Sequence, residues 1–505
     1  MSLTREQSEA VTAQGSVAVL AGAGTGKTYL LTHRYLHHLA HGLSPLQIVA
    51  TTFTEAAAAE LRSRIRSEVR RVYPEDARLL AELEVAAIST IHALCQLICQ
   101  EYPEQSGLAA GFTIVDEIDG ALWFERTYPA LLAGLPASLF SHLTYSQMDA
   151  TLRELLQDPY DAERSLELSP AARQALLEEA SAEAKRDWQR DIGPLLDVLR
   201  ERANPAARDR HEERRVQFLE QAGAVAGATP AEAASLLRAI DGTNMRGGSR
   251  NWDPGDLAAL KAALGEIRTR ARRELASGMM LLERTGADDL LDAQLPALRQ
   301  AFSLINDQLK ELRYTERIAT FDDLELGALR ALENPDVRAE LRGRWHAFMI
   351  DEFQDTNPVQ LRLIELLSGL GTAGAANLTT VGDVKQSIYG FRRAAPELSA
   401  ELAGRLGGSV KLGTSFRSHA DLLRALDGVF EPLLEDLHQP LKGQRSFGDS
   451  GSPRVTVSII RDGRGSARAE AREVARAVRG MIERAEPVWD RRAEAHRPVR
   501  PGDVA

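Results

Sequence analysis

The sequence predicts an α/β protein built on a parallel sheet, interrupted by a large inserted α-helical domain and followed by the start of a second sheet domain. Three observations lead there. The first hundred or so residues alternate strand-like and helix-like runs. From about Asp116 to Ala319 strand texture almost vanishes. Strand texture then returns at HAFMIDEF and NLTTVGD, so a sheet begun at the N-terminus is completed far downstream.

Taken in order, SVAVLAG reads as a strand, a glycine loop follows, and TYLLTHRYLHHLA has helical spacing. QIVATTFT is the next strand, leading into a long Ala/Arg/Glu helix. Between residues 116 and 320, Leu, Ala, Glu and Arg recur at three- and four-residue spacing, as in LRELLQ and ALLEEASAEAKRDW, with one interrupting loop at 243–256. After the returning strands come SVKLGTSF and RVTVSII, then an amphipathic run at EAREVARAVRGMI. The expected units are 1–115 and 321–410 for the two parts of the first sheet domain, 116–320 for the helical insertion and 411–505 for a second domain that reads as unfinished.

At 505 residues, 44% hydrophobic and 26% charged, the chain can bury several cores, and ~150 residues per domain suggests about three units. No run of about 18 uncharged apolar residues occurs and MSLTREQSEA is polar, so neither a membrane span nor a signal peptide is expected, and a cytoplasmic protein is. The only cysteines, Cys95 and Cys99, lie four apart in IHALCQLICQ and read as core-facing thiols. A net charge of −11 argues against holding nucleic acid by bulk electrostatics, so a DNA path would be assembled locally from arginines and aromatics.

Ala21-Gly22-Ala23-Gly24-Thr25-Gly26-Lys27-Thr28 follows a strand and opens a helix, the context that a phosphate-binding loop requires. Glycines let successive N–H groups turn inward around phosphates, and the helix N-terminus adds its positive end. Lys27 supplies a point charge to the β/γ oxygens, and Thr28 can ligate Mg²⁺. Ala21 replaces the usual glycine, which is tolerable at negative φ. The other half of such a site is an acidic pair after a hydrophobic strand, supplied by Phe348-Met349-Ile350-Asp351-Glu352. Asp351 would hold Mg²⁺ and Glu352 would deprotonate the attacking water. ATP and Mg²⁺ are the expected cofactors.

The chain resembles the UvrD/Rep-like superfamily-1 DNA helicases, and within them the RecB/AddA branch, through motifs spread along its length. Leu3-Thr4-Arg5-Glu6-Gln7 is similar to the adenine-reading motif, Thr52-Phe53-Thr54-Glu55-Ala56-Ala57 to motif Ia and Ile88-Ser89-Thr90-Ile91-His92 to motif Ib. Asp351 to Thr356 resembles motif II, Val381 to Arg392 motif III and Leu412 to Ser418 motif IV; Thr320 to Leu324 resembles the return from the helical insertion. The resemblance implies a RecA-like P-loop NTPase domain carrying the insertion, and the start of a second RecA-like domain. It makes Gln7 the adenine contact, Gln386 a γ-phosphate sensor, Arg417 a cation on the γ-phosphate and Phe416 the stack on the adenine. It sets Phe53, His92, Tyr389, Phe391 and Arg392 on a single-strand path, where aromatic faces grip any base for roughly 1–3 kcal/mol each.

Four positions depart from the commonest pattern: Ala56 stands for lysine, Gly390 for arginine, Arg393 for glycine and Ser415 for asparagine. Arg393 is expected to restore part of a lost phosphate contact, and Ser415 to lose a capping or interdomain hydrogen bond. Motifs V and VI do not follow Arg417, so the chain reads as truncated. The implied function is the ATP-binding portion of a 3′ to 5′ helicase that translocates on single-stranded DNA and unwinds double-stranded DNA in repair or recombination. The alternatives are the motor lobe of a helicase–nuclease with a partner subunit, and a non-motor ATP- and DNA-binding scaffold or regulatory subunit.

Overall fold

Six hydrophobic runs pair side by side in the computed structural model, which describes residues 3–204, 209–244, 252–390, 393–406, 408–434, 438–445, 467–490, 493 and 495–504. They are β1 (Val17–Ala21), β2 (Ile48–Thr52), β3 (Ile88–Thr90), β6 (Ala347–Ile350), β7 (Asn377–Gly382) and β8 (Ser409–Leu412), in the order β3-β2-β6-β7-β1-β8. Every pairing is parallel, and the register aligns the carboxyl ends: Thr52 with Thr90, Thr51 with Ile350, Ile350 with Thr380, Leu20 with Gly382 and Ala21 with Leu412. Loops leaving these ends therefore converge on one edge, where ligands bind in open α/β sheets. Because β8 pairs with β1, the sheet runs through Leu412, two residues past the boundary drawn from sequence at 410.

The strands β1, β2, β6 and β7 are buried almost end to end, as in a parallel sheet covered by helices, whereas β8 at the sheet edge alternates exposed and buried residues. Val17, Val19, Ile48, Ala50, Met349 and Val381 pack with Leu30, Leu31, Leu61 and Ile65 in one buried cluster. A charge is buried beside it. The guanidinium of Arg34 donates to the carbonyls of Val11, Ala13 and Gly15 at 2.7, 2.7 and 3.1 Å, and to Asn377 Oδ1 at 2.8 Å and Thr379 Oγ1 at 3.3 Å. It thereby ties helix Arg5–Thr12 to the sheet.

The chain divides into two compact units, 1–123 with 312–505, and 124–311. It leaves the first along helix Glu117–Ala133 and returns along helix Gly286–Glu316. The two-residue strands β4 (Thr113–Ile114) and β5 (Ile318–Ala319) pair in parallel in the first unit. In the second unit, capping residues followed by proline start the helices Pro159–Glu167, Pro170–Glu201, Pro230–Gly242 and Pro254–Ser277, after Asp158, Ser169, Thr229 and Asp253. The cap satisfies an orphan N–H while proline lacks one, so each sequence fixes where its helix begins. Trp188, Ile192, Phe218, Leu237, Leu260 and Leu264 lie in that unit's core. Residues 245–251 of the interrupting loop lie outside the described residues.

After β8 the chain forms β9 (Thr414–His419), helix Ala420–Leu434, β10 (Lys442–Arg445) parallel to β9, helix Ala467–Glu483 and a hairpin of β11 (Pro487–Asp490) with β12 (Ala495–Pro498). The strand-like RVTVSII falls outside the described residues. Among the described residues no helix is long and apolar enough to cross a membrane. Cys95 and Cys99 are free and buried, and burial raises both thiols, Cys99 to about 12.

Candidate functional site

The loop from β1 to helix Lys27–Ala40 turns through two left-handed glycines, Gly24 at φ 74° and Gly26 at φ 87°, Gly26 being the residue before the helix. Ala21 closes β1 without a positive φ, so its side chain costs nothing there. Thr25 is buried and folds back, its Oγ1 donating to the Gly22 carbonyl at 2.8 Å. Gly22 leaves room for Leu441: a Cβ at residue 22 would lie 2.9 Å from the Leu441 side chain. The Thr28 carbonyl is taken by Thr32 Oγ1 at 2.8 Å within the helix.

Across the sheet, β6 ends in the acidic turn. Glu352 adopts a left-handed φ of 51°, a conformation that costs a non-glycine residue of order 1–3 kcal/mol. Its carboxylate is paired with Lys27, Nζ to Oε2 2.5 Å. The nearly buried Asp351 is raised to about 6, by desolvation first and by the Glu352 charge second, with Lys27 opposing. A divalent cation would offset that electrostatic deficit. Asp351 and Thr28 supply hard oxygen donors of the type Mg²⁺ takes, one or two from protein with phosphates completing the shell. ATP and Mg²⁺ thus fit the residues present.

Gln354 links the two halves of the acidic edge. Its Nε2 donates to Glu352 Oε2 at 2.9 Å and to Asp355 Oδ2 at 3.3 Å, while its Oε1 accepts the Asp383 N–H at 2.9 Å. Gly382 permits the approach, since a Cβ there would stand 2.7 Å from Gln354 Oε1. Asp383 in turn accepts from Gln386 Nε2 at 2.6 Å and Lys385 Nζ at 2.8 Å. Gln386 is therefore connected to Glu352 through Asp383 and Gln354. The motifs containing these residues were legible, but Gln354 carried no assigned role.

Gln7 is buried, and its amide is engaged at both ends: Oε1 accepts from the Thr4 N–H at 3.0 Å and Nε2 donates to the Thr25 carbonyl at 2.9 Å. It braces the phosphate loop and keeps one further N–H. The strand β9 straps the same loop from the other side. The Phe416 N–H donates to the Gly24 carbonyl at 2.8 Å and Ser415 Oγ to the Ala23 carbonyl at 3.2 Å. The short Ser415 hydroxyl, at the position where asparagine is commoner, is fully buried against the loop and makes this one hydrogen bond. A Cβ at Gly26 would be 3.9 Å from the Phe416 ring, and the Arg417 side chain starts directly over Gly24.

Of the residues expected on a strand path, Phe53 and Tyr389 are half-buried and meet in a tilted ring contact, centroids 4.4 Å apart at 34°. His92 meets Glu325 Oε1 through Nε2 at 3.0 Å and the Phe321 ring at 5.0 Å. Phe391 and Arg392 lie outside the described residues. Arg393 sits at φ 65°, which explains physically why a glycine suits that position, and pairs with Asp322 at 2.8 Å. Here its charge is matched by that carboxylate.

The six loops after β1, β2, β3, β6, β7 and β8 thus gather at one edge, carrying in turn a phosphate-type loop, Phe53, His92, the acidic turn, Gln386 and the β9 strap. The sequence pattern of the UvrD/REP helicase N-terminal domain matches residues 3–405. The chain belongs to this family. It is similar to an ATP-dependent helicase/nuclease subunit of Streptococcus thermophilus, 29% identical over 489 residues, which cover 86% of this chain and 39% of that protein. The subunit of the same name from Pelotomaculum thermopropionicum is 27% identical over 509 residues, 88% and 39% of the two chains. The exonuclease/helicase subunit RexA of Streptococcus pneumoniae is 27% identical over 482 residues, 86% and 39%. The chain therefore spans 39% of the length of these relatives.

Proposed function

We propose that this chain is the ATP-hydrolysing portion of a DNA helicase motor that moves 3′ to 5′ along single-stranded DNA and acts in repair or recombination in the cytoplasm. The observation that carries the reading is the pairing of Lys27 with Glu352 at 2.5 Å across the edge where all six strands end. A cation for phosphate oxygens and a carboxylate for a water proton meet there, within reach of Gln354.

In this reading, residues 1–115 and 321–412 form a RecA-like domain, 116–320 its helical insertion, and 413–505 the start of a second RecA-like domain. ATP bound with Mg²⁺ supplies the phosphoanhydride whose cleavage drives movement. The N–H groups of residues 22–28 and Lys27 hold its phosphates, Thr28 and Asp351 its metal, and Gln7 and Phe416 its base. Glu352 accepts the water proton once phosphates draw Lys27 away from it. Gln386 and Arg417 respond to the charge that changes on hydrolysis. Phe53, His92, Tyr389, Phe391 and Arg392 contact single-stranded DNA, with stacking that ignores sequence. The 27–29% identity to subunits named helicase/nuclease supports a more specific version, the motor lobe of a helicase–nuclease working with a partner subunit.

Oligo(dT)-stimulated ATPase tests this. Lys27→Ala and Glu352→Gln should each lower the rate by at least about a hundredfold, the scale of losing a positioned acid–base group or phosphate cation. A rate unchanged in both variants would refute the site.

A further inference from the structure

Glu325 is a carboxylate on an otherwise apolar helix face. Helix Phe321–Glu333 buries Leu324, Ala328, Leu329, Ala331 and Leu332, and Glu325 is buried with them. Three donors converge on it. His92 Nε2 lies 3.0 Å and Gln360 Nε2 2.6 Å from Oε1, and Asn357 Nδ2 lies 2.9 Å from Oε2. Burial alone would raise this carboxyl, but the His92 ring contact and then the two amides outweigh it and hold it below the ordinary value.

The donors come from two different segments. His92 stands in the first turn of helix Ile91–Glu101, after β3. Asn357 and Gln360 are the reciprocal capping pair of helix Pro358–Ser368, which starts just beyond the acidic turn ending at Asp355. The ring edge is further fixed by Phe321, one turn earlier on the Glu325 helix.

We infer that Glu325 is a positioning residue: its carboxylate sets the orientation and tautomer of the His92 imidazole and joins that ring to the helix cap behind the acidic turn. The clamp stands on its own geometry, while its consequence, a correctly presented strand contact, rests on the proposed role of His92. A ring nitrogen that donates to a fixed acceptor dictates the tautomer, so the proton belongs on Nε2. With both carboxylate oxygens occupied by three donors, a neutral amide at 325 has only one acceptor oxygen to offer them.

Two measurements on the 505-residue chain test this. The first is ¹⁵N NMR of the histidine rings, with His92→Gln assigning the His92 signals. The Nε2–H tautomer should be held in the wild type and lost or mixed in Glu325→Ala; should that variant fail to fold, the isosteric Glu325→Gln carries the test. An unchanged tautomer and unchanged Nε2–H exchange overturn the clamp. The second is a double-mutant cycle on oligo(dT) affinity. Glu325→Gln and His92→Ala should each weaken binding about threefold to tenfold, with the double variant no weaker than the worse single one. Losses that multiply overturn the positioning role. Wild-type protein that shows the clamp signature but does not bind oligo(dT) leaves the clamp standing and refutes the strand path instead.

Discussion

Gly24 and Gly15 have the same left-handed φ of 74°, yet alanine should behave very differently at the two positions. Around Gly15 nothing lies within 4 Å of an added Cβ, whereas at Gly24 the Cβ would stand 2.4 Å from Arg417 Cβ and 2.9 Å from Ser415 Oγ. Gly15→Ala therefore costs only the backbone strain, about 1 kcal/mol. Gly24→Ala adds a collision with an atom fixed to the backbone, which only a retreat of β9 can relieve. That retreat breaks the Phe416 N–H to Gly24 and Ser415 Oγ to Ala23 hydrogen bonds, together about 2 kcal/mol. The corresponding change in local opening is about thirtyfold. Hydrogen–deuterium exchange of peptides covering residues 414–418 reads it directly. Exchange should accelerate about thirtyfold in Gly24→Ala and stay within about twofold of wild type in Gly15→Ala. Equal protection of 414–418 in wild type and Gly24→Ala would refute the strap.

Arg34→Met keeps the apolar stem but leaves the carbonyls of Val11, Ala13 and Gly15 without their donor, so it should cost about 3–5 kcal/mol. The loss should appear first as exchange and proteolysis of helix Arg5–Thr12, which carries Gln7; an intact helix at native stability would count against the anchor. His38 is buried and lowered to about 3, chiefly by desolvation and then by the Arg34 charge. A folded-state value below the unfolded 6.5 means that its contribution is complete above pH 6.5 and lost as pH falls from there toward 3. Between pH 7 and 5 this amounts to about 2 kcal/mol. Urea unfolding at both pH values should show His38→Gln losing that much less stability than wild type, and parallel losses would exclude His38 as the source.

How much of this was legible depends on whether a signal is local. The phosphate loop, the acidic turn and the strands flanking them are contiguous runs, and their residue types alone point to the chemistry. The helical texture of the unit 124–311 was readable because three- and four-residue spacing persists through it. Glu325 carried no local signal, because nothing in the run around it says which donors its carboxylate would meet. Gln354 lay inside a recognised motif, but its bridge to Asp383 depends on β6 and β7 being neighbours. For Ser415 and Arg393 the partners depend on tertiary structure, since one meets the Ala23 carbonyl and the other the Asp322 carboxylate.

The sequence by itself named groups suited to holding phosphate and metal, because those expectations follow from side-chain chemistry and from short-range turn and helix signals, while the base contacts came from the family resemblance alone. Only the tertiary structure decided which of them meet. Lys27 and Glu352 are separated by 325 positions and come within 2.5 Å because parallel pairing places β1 and β6 on either side of β7 with their carboxyl ends level. Strand order and register arise from packing across the whole sheet, which no local run of residues encodes.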